Sequence, residues 1–147
     1  MTETLYVIDG HAQAYQAFYA MGGFSSPDGT PTGATFGFTN ILRSILQKQQ
    51  PTYCVVVFDA KGPTFRHERY PAYKAQRKPM PEELIPQFDW IKQILAGYRI
   101  PVFEVSGYEA DDLMGTLARQ ASNLDIAVTL VTPDKDMKQL LGPLTNM

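Results

Sequence analysis

Acidic residues follow each of the four apolar runs that the sequence predicts to be buried strands. Because parallel strands end at one edge of a sheet, we expect these carboxylates to converge there. Converging carboxylates repel one another and destabilise a protein unless cations neutralise their charge. Oxygen ligands without His or Cys at metal-binding spacing favour Mg²⁺ or Mn²⁺ over zinc. Seven of the fifteen acidic residues occupy this predicted edge and are the candidate metal ligands: Asp9, Asp59, Glu109, Asp111, Asp112, Asp134 and Asp136.

Each of these acids, taken alone, has a simpler interpretation as a helix cap. Asp is a favoured N-cap at a strand-to-helix junction, and the helix dipole favours acids in the first turn. Asp134 and Asp136 are the strongest candidates for plain capping. The joint pattern favours metal binding, because crowded carboxylates give a protein no structural gain unless cations neutralise them. An edge with many carboxylates has room for two such ions. Two-metal sites catalyse in-line displacement at phosphorus, so the pattern predicts phosphoryl-transfer chemistry.

One basic segment interrupts a chain whose net charge is −2. Residues 61–78 contain six Lys and Arg residues with aromatic residues between them, and a single acid, Glu68. The segment directly follows Asp59, so it should leave the sheet at the acidic edge and hold a polyanion over the metals. Lys and Arg neutralise phosphates while aromatic rings stack on bases, which is how single strands are bound. The alternative is a solvated loop whose charges serve solubility.

Short apolar runs alternate with stretches of helical periodicity along the chain. We predict strands at residues 5–8, 53–58, 100–105 and 126–131, and helices at 12–20, 33–49, 82 to about 97, 109 to about 121, and from 136 onward. Parallel neighbours need crossover connections, which helices provide. The predicted fold class is therefore α/β, a mostly parallel twisted sheet with helices on both faces, in a single domain spanning residues 1–147.

Composition narrows the class of protein further. An apolar fraction of 44% over 147 residues is typical of a globular domain with its own core. The single cysteine, Cys54, lies in an apolar run and is expected to pack as a small hydrophobe. No apolar run is long enough to cross a bilayer, so we expect a cytoplasmic protein without a membrane partner. Neither the Walker A pattern nor the dinucleotide fingerprint occurs between Gly22 and Gly33.

Several motifs, in order across nearly the whole chain, resemble the 5′-nuclease domain at the front of bacterial DNA polymerase I, which is related to the flap endonucleases. They are Val7-Ile8-Asp9-Gly10, Pro31-Thr32-Gly33-Ala34, Val56-Val57-Phe58-Asp59-Ala60-Lys61, Phe65-Arg66, Tyr73-Lys74-Ala75-Gln76-Arg77, Gly107-Tyr108-Glu109-Ala110-Asp111-Asp112 and Thr132-Pro133-Asp134-Lys135-Asp136. The resemblance implies a PIN-like, resolvase-like 5′-nuclease domain. It also implies that the seven acids named above match the metal-site carboxylates of the family.

The basic segment matches the family's helical arch, an arch-type loop at about residues 61–81. The resemblance implies that its basic residues contact the scissile phosphate region, with Lys74 and Arg77 as catalytic residues. The implied DNA- and phosphate-binding residues are Arg66, Tyr73, Lys74, Arg77 and Lys78. It further implies metal-dependent 5′-3′ exonuclease and flap endonuclease activity on DNA with 5′ ends or flaps, in bacterial replication and repair, with Mg²⁺ or Mn²⁺ as cofactor.

The family continues past the point that corresponds to Met147, with further carboxylates, a helical motif that binds duplex DNA and, in the polymerases, a covalently attached polymerase module. The chain is therefore expected to be a truncated portion whose second metal site is incomplete. Three other functions remain open: a PIN-type ribonuclease, a receiver-like phosphate acceptor, and a catalytically incomplete DNA-binding fragment.

Overall fold

Strands and helices alternate from the N-terminus of the chain onward. The computed structural model describes residues 3–21, 25–59, 80–105, 108, 110–132 and 145–146. In chain order the elements are β1 (Thr4–Asp9), α1 (Gly10–Ala20), α2 (Gly33–Ser44) with a π-helical turn at its end (Ile45–Gln49), β2 (Tyr53–Val57), α3 (Ile85–Gly97), β3 (Val102–Phe103), α4 (Ala110–Asn123), β4 (Ala127–Val131) and β5 (Thr145–Asn146).

Every strand pairing in the described part of the sheet is parallel, in the order β3-β2-β1-β4-β5. The register aligns Asp9 at the end of β1 with Val57 of β2, and Ile8 with Val131 of β4. The three central strands therefore end level with one another. We call this the carboxyl edge, defined by Asp9, Asp59 and Thr132.

Apolar side chains cover both faces of the sheet. On one face α1, α2 and α3 pack against a core that includes Ile8, Val56 and Phe58. On the other face α4 packs against a core that includes Val7 and Val128. Neighbouring residues of a strand point to opposite faces, so a strand covered on both sides must be apolar throughout. The predicted α/β fold with helices on both faces is confirmed.

The third strand is shorter than the sequence predicts. Residues 100–105 were expected to form it, whereas β3 comprises Val102–Phe103 at the edge of the sheet. It pairs with β2 alone, and Pro101 has no N–H to extend the ladder, although its carbonyl accepts the N–H of Val56 at 3.1 Å. A strand with one neighbour and a proline at its start gains few hydrogen bonds, which accounts for its length.

The helices α1 and α3 begin two or more residues from their predicted starts. α1 begins at Gly10, directly after its Asp9 cap, two residues before the predicted start. α3 begins at Ile85 because a turn precedes it, closed by the N–H of Leu84 donating to Pro81 at 3.0 Å. α2 and its π-helical turn end at Gln49, as predicted. The two-residue strand β5 was not predicted, and the helix predicted from residue 136 lies outside the described residues.

The cysteine behaves as the sequence predicts. Cys54 packs against the core beside α1, α2 and α3, and burial raises the pKa of its thiol to about 11, so the thiol stays protonated at neutral pH. None of the helices in the described ranges combines the length and apolar character that a membrane span needs.

A buried glutamine connects α3 to the start of α2. Gln87 is fully buried, and its Oε1 accepts the backbone N–H of Thr35 at 3.0 Å and the Thr35 hydroxyl at 3.1 Å. Its Nε2 donates to the carbonyl of Glu83 at 3.0 Å. Thr32, at the N-cap position of α2, makes no capping bond with its side chain. Gln87 therefore supplies from another helix the acceptor that a capping side chain normally provides.

Replacing Gln87 by Leu should lower the free energy of unfolding by about 2 kcal/mol, because it leaves a partly buried N–H and hydroxyl of Thr35 without their acceptor. The matched control is Gln93→Leu, on an exposed position of the same helix, which should stay within about 0.5 kcal/mol of wild type. Urea unfolding curves measure both changes. Equal stability of the two variants would show that Gln87 does not cap α2.

Candidate functional site

Asp9 lies at the end of the central strand and serves as the N-cap of α1. It is 5% exposed, and its Oδ1 accepts the backbone N–H of Ala12 at 3.1 Å. Its Oδ2 accepts the hydroxyl of Thr132, just past β4, at 3.3 Å. A carboxylate oxygen has two lone pairs, so an oxygen that accepts a hydrogen bond can also coordinate a cation. The capping prediction for this residue and the metal-binding prediction are therefore compatible.

The residue after Asp9 has to be small. A Cβ atom at Gly10 would lie 2.5 Å from Cε1 of the Phe58 ring, and Phe58 is fully buried. Glycine at this position lets α1 begin against the end of β2, which brings Asp9 close to the chain that carries Asp59.

Asp59 follows β2 and joins three elements at the carboxyl edge. Its backbone N–H donates to Nδ1 of His11 in α1 at 3.0 Å, and its Oδ1 accepts the backbone N–H of Ala110 at 2.5 Å. Its Oδ2 lies 4.0 Å from the same His11 nitrogen. That distance would make an ion pair only if Nδ1 carried a proton. The N–H of Asp59 already points at this nitrogen, so we interpret the contact as a hydrogen bond that Nδ1 accepts.

The first turn of α4 reaches the same edge. Ala110 is the first residue of α4 and is bonded to Asp59, so Asp111 and Asp112 follow within the turn that meets the carboxyl edge. Acids here are stabilised by the helix dipole. Asp112 is half-buried, and its carbonyl accepts the hydroxyl of Thr116 at 3.0 Å. Asp9, Asp59 and the first residue of α4 thus lie at the carboxyl edge.

The other predicted site residues lie outside the described residues: the acids Glu109, Asp134 and Asp136, the side chain of Asp111, and Arg66, Tyr73, Lys74, Arg77 and Lys78 of the basic segment. Within the described ranges no group of three His, Cys, Asp or Glu residues is arranged to hold a metal ion. The proposed ligand set draws on acids beyond those ranges. The metal-binding and catalytic assignments accordingly stay predictions.

Two residues that contact the candidate acids were not identified from the sequence. The ring of His11 packs against Phe88 and Phe58, with centroids 4.7 and 5.7 Å away. Its bond to Asp59 joins residues 48 positions apart, which no local pattern reveals. Thr132, which contacts Asp9, had a sequence signal, since it begins the motif that contains Asp134.

The chain resembles known proteins over almost all of its length. Residues 4–147 match the family described as 5′-3′ exonuclease, N-terminal resolvase-like domain. DNA polymerase I of Geobacillus stearothermophilus is 43% identical over 143 residues, which are 97% of this chain and 16% of that protein. A 5′-3′ exonuclease of Aquifex aeolicus is 42% identical over 140 residues, 95% of this chain and 48% of that protein.

A solved structure shares the fold. The bacteriophage T5 D15 flap endonuclease, crystallised as a pseudo-enzyme–product complex with DNA and metal ions, aligns with a TM-score of 0.74 at 22% identity. The alignment covers 99% of this chain and 54% of the T5 chain. At this identity the likeness shows the fold alone. By sequence, the chain spans about a sixth of the length of the Geobacillus stearothermophilus DNA polymerase I.

Proposed function

Because this chain belongs to the family of 5′-3′ exonuclease N-terminal resolvase-like domains, we propose that it is a divalent-metal-dependent 5′-3′ exonuclease and flap endonuclease acting on DNA phosphodiester bonds. Relatives with the same domain include a 5′-3′ exonuclease and a DNA polymerase I. The structural neighbour from bacteriophage T5 is a flap endonuclease complexed with DNA and metal ions. These relatives support DNA as the proposed substrate and divalent metal ions as the proposed cofactor.

The observation that carries the proposal is the meeting of Asp9, Asp59 and the first turn of α4 at the carboxyl edge. The register of β1 with β2 and β4 brings Asp9 and Asp59 to this edge, and the backbone N–H of Ala110 joins the start of α4 to Asp59. In open α/β sheets this is the edge at which ligands bind. A buried carboxylate such as Asp9 favours a bound cation, which offsets the cost of keeping its charge away from water.

The chemistry of the described donors fits Mg²⁺ or Mn²⁺. Carboxylate oxygens are hard ligands, and Asp9 and Asp59 would hold the ions together with Glu109, Asp111, Asp112, Asp134 and Asp136. Bound divalent ions lower the pKa of a water molecule and stabilise negative charge on phosphate oxygens. Thr132 and the N–H of Ala12 hold the Asp9 carboxylate in place, and the N–H of Ala110 does the same for Asp59. A site for two ions is part of the proposal.

The basic segment is proposed to bind the substrate. Arg66, Tyr73 and Lys78 would contact the DNA backbone and its bases, and Lys74 and Arg77 would contact the scissile phosphate. Lys74 and Arg77 are three residues apart, so on a helix they share a face and can reach one phosphate. Asp59, which lies at the carboxyl edge, precedes the segment by two residues in the chain.

The setting in the cell and the larger protein are also proposals. We propose a single nuclease domain acting in the bacterial cytoplasm, where DNA replication and repair take place. A covalently attached polymerase module is consistent with the DNA polymerase I relatives, in which this domain makes up 16% of the length.

The decisive experiment is cleavage of a 5′-labelled flap DNA by the purified chain with Mg²⁺ or Mn²⁺, with and without a chelator. We expect products released from the 5′ end or the flap junction when the metal is present and none in the chelator. Cleavage that continues in the chelator would contradict the proposed mechanism.

Three other outcomes would identify the alternative functions. Cleavage of single-stranded RNA but not of flap DNA would indicate a PIN-type ribonuclease. Covalent labelling by a small phosphodonor would indicate a receiver-like acceptor. DNA binding that persists in the chelator, without any Mn²⁺-dependent cleavage, would indicate a non-catalytic DNA-binding fragment.

A further inference from the structure

Two hydrogen bonds in series link α1 to α4 across the end of β2. Nδ1 of His11 accepts the backbone N–H of Asp59, and Oδ1 of Asp59 accepts the backbone N–H of Ala110. The first bond fixes the main chain of Asp59, and the second fixes its side chain. The position of the Asp59 carboxylate thus depends on a residue in a different element, 48 positions earlier in the sequence.

The His11 ring is held in place by its own packing. Its centroid lies 4.7 Å from that of Phe88 in α3 at an interplanar angle of 39°, and 5.7 Å from that of Phe58 at 71°. Phe58 is fully buried and Phe88 is 7% exposed, so both rings belong to the core. A ring supported by the core presents its nitrogen in a fixed direction. The core rings therefore fix the position of the His11 nitrogen that bonds to Asp59 at the carboxyl edge.

We propose that His11 is a positioning residue for the carboxylate of Asp59, which rests on the proposed function of Asp59 as a metal ligand. His11 acts through the backbone N–H of Asp59, which its Nδ1 accepts at 3.0 Å. Groups that orient a metal ligand typically contribute about 10–100-fold to metal affinity. Without the bond, the end of β2 is free to shift, and the Asp59 oxygens move away from the other ligands.

Packing alone is the competing explanation, and two substitutions separate it from positioning. His11→Phe keeps a ring against Phe88 and removes the acceptor. His11→Asn removes the ring and places its Oδ1 close to where Nδ1 lies, so that it can still accept the N–H of Asp59. A positioning role makes the Phe variant defective in metal binding, whereas a packing role makes the Asn variant the defective one.

The test is a Mn²⁺ titration of each purified protein, followed by the electron paramagnetic resonance signal of free Mn²⁺. We expect His11→Phe to weaken Mn²⁺ binding about 10-fold or more, and His11→Asn to stay within about 3-fold of wild type although its melting temperature falls. In flap cleavage, His11→Phe should need more Mn²⁺ for half-maximal rate, with a kcat close to wild type once Mn²⁺ is saturating.

Mn²⁺ binding and DNA cleavage by the wild-type protein separate a failure of the positioning role from a failure of the proposed function. If wild type binds Mn²⁺ and cleaves DNA while both variants bind Mn²⁺ equally well, or the Asn variant is the weaker binder, the positioning role is overturned alone. If wild type binds no Mn²⁺, the proposed function fails and the inference fails with it.

Discussion

Cleavage of flap DNA should fall more than about 100-fold when Asp59 is replaced by Asn, because under the proposed function Asp59 is a metal ligand, and a ligand contributes more than the groups that orient it. The substitution changes little else. Asn keeps an Oδ1 that can accept the N–H of Ala110, so the contact with α4 is preserved while the negative charge is lost. The defect should therefore appear in metal binding and catalysis, with little loss of stability.

The matched control is Asp125→Asn. Asp125 is exposed in the turn between α4 and β4, at the end of the sheet opposite the carboxyl edge. Its φ of 60° lies in the left-handed region, which Asn adopts readily. This variant loses the same charge and should cleave DNA at the wild-type rate. Rates measured under single-turnover conditions at saturating Mg²⁺ compare the three proteins.

Thermal unfolding provides an independent measurement of the same effect. Mn²⁺ at 100 times its dissociation constant stabilises a protein by about 2.7 kcal/mol. Wild type and Asp125→Asn should therefore show a higher melting temperature in millimolar Mn²⁺, and Asp59→Asn should show a smaller rise. An Asp59→Asn protein with normal cleavage and a normal response to Mn²⁺ would remove Asp59 from the ligand set.

The largest expected loss of stability comes from Gly33→Ala. Gly33 is the first residue of α2, and a Cβ atom there would overlap the carbonyl oxygen of Met21, the C-cap residue of α1. The clash is with main-chain atoms, so relief requires the two helices to move apart. Overpacking of this kind typically costs about 1–3 kcal/mol, and we expect the upper end of that range.

Gly97→Ala is the matched control for this substitution. Gly97 is the last residue of α3, and a Cβ atom there would meet no heavy atom within 4 Å. Ala favours helices over Gly by about 0.5–1 kcal/mol, so this variant should be neutral or slightly more stable. Urea unfolding of both variants gives the comparison. If Gly33→Ala unfolds at the same urea concentration as wild type, α1 and α2 do not approach each other as closely as described.

The sequence predicted those features that depend on short-range patterns. β1 and β2 are apolar runs followed by an acid, and the sheet that they form places Asp9 and Asp59 at one edge as expected. The stripe of apolar residues in α2 predicted a helix to Gln49, where the left-handed φ of 44° at Gln50 ends it. Such signals are local, since each depends on residues within one or two turns of one another.

The features that the sequence did not predict depend on contacts between distant residues. Gln87 and Thr35 are 52 positions apart, and the polar pattern of α3 does not distinguish Gln87 from the exposed Gln93. The short length of β3 reflects its place at the edge of the sheet, which is a property of the assembled topology. Contacts of this kind are determined only when the whole chain has folded.

Under the proposed function Asp9 both caps α1 and binds a metal ion, which limits the residues that can replace it. Asn would continue to accept the N–H of Ala12 but would lack the anionic charge, and Glu would retain the charge on a side chain one methylene too long for the cap. Neither Asn nor Glu, the residues most similar to Asp, would both cap α1 and provide a charged ligand for the metal. Under the proposed function, this position therefore requires aspartate, whereas many core positions accept any hydrophobe of similar volume.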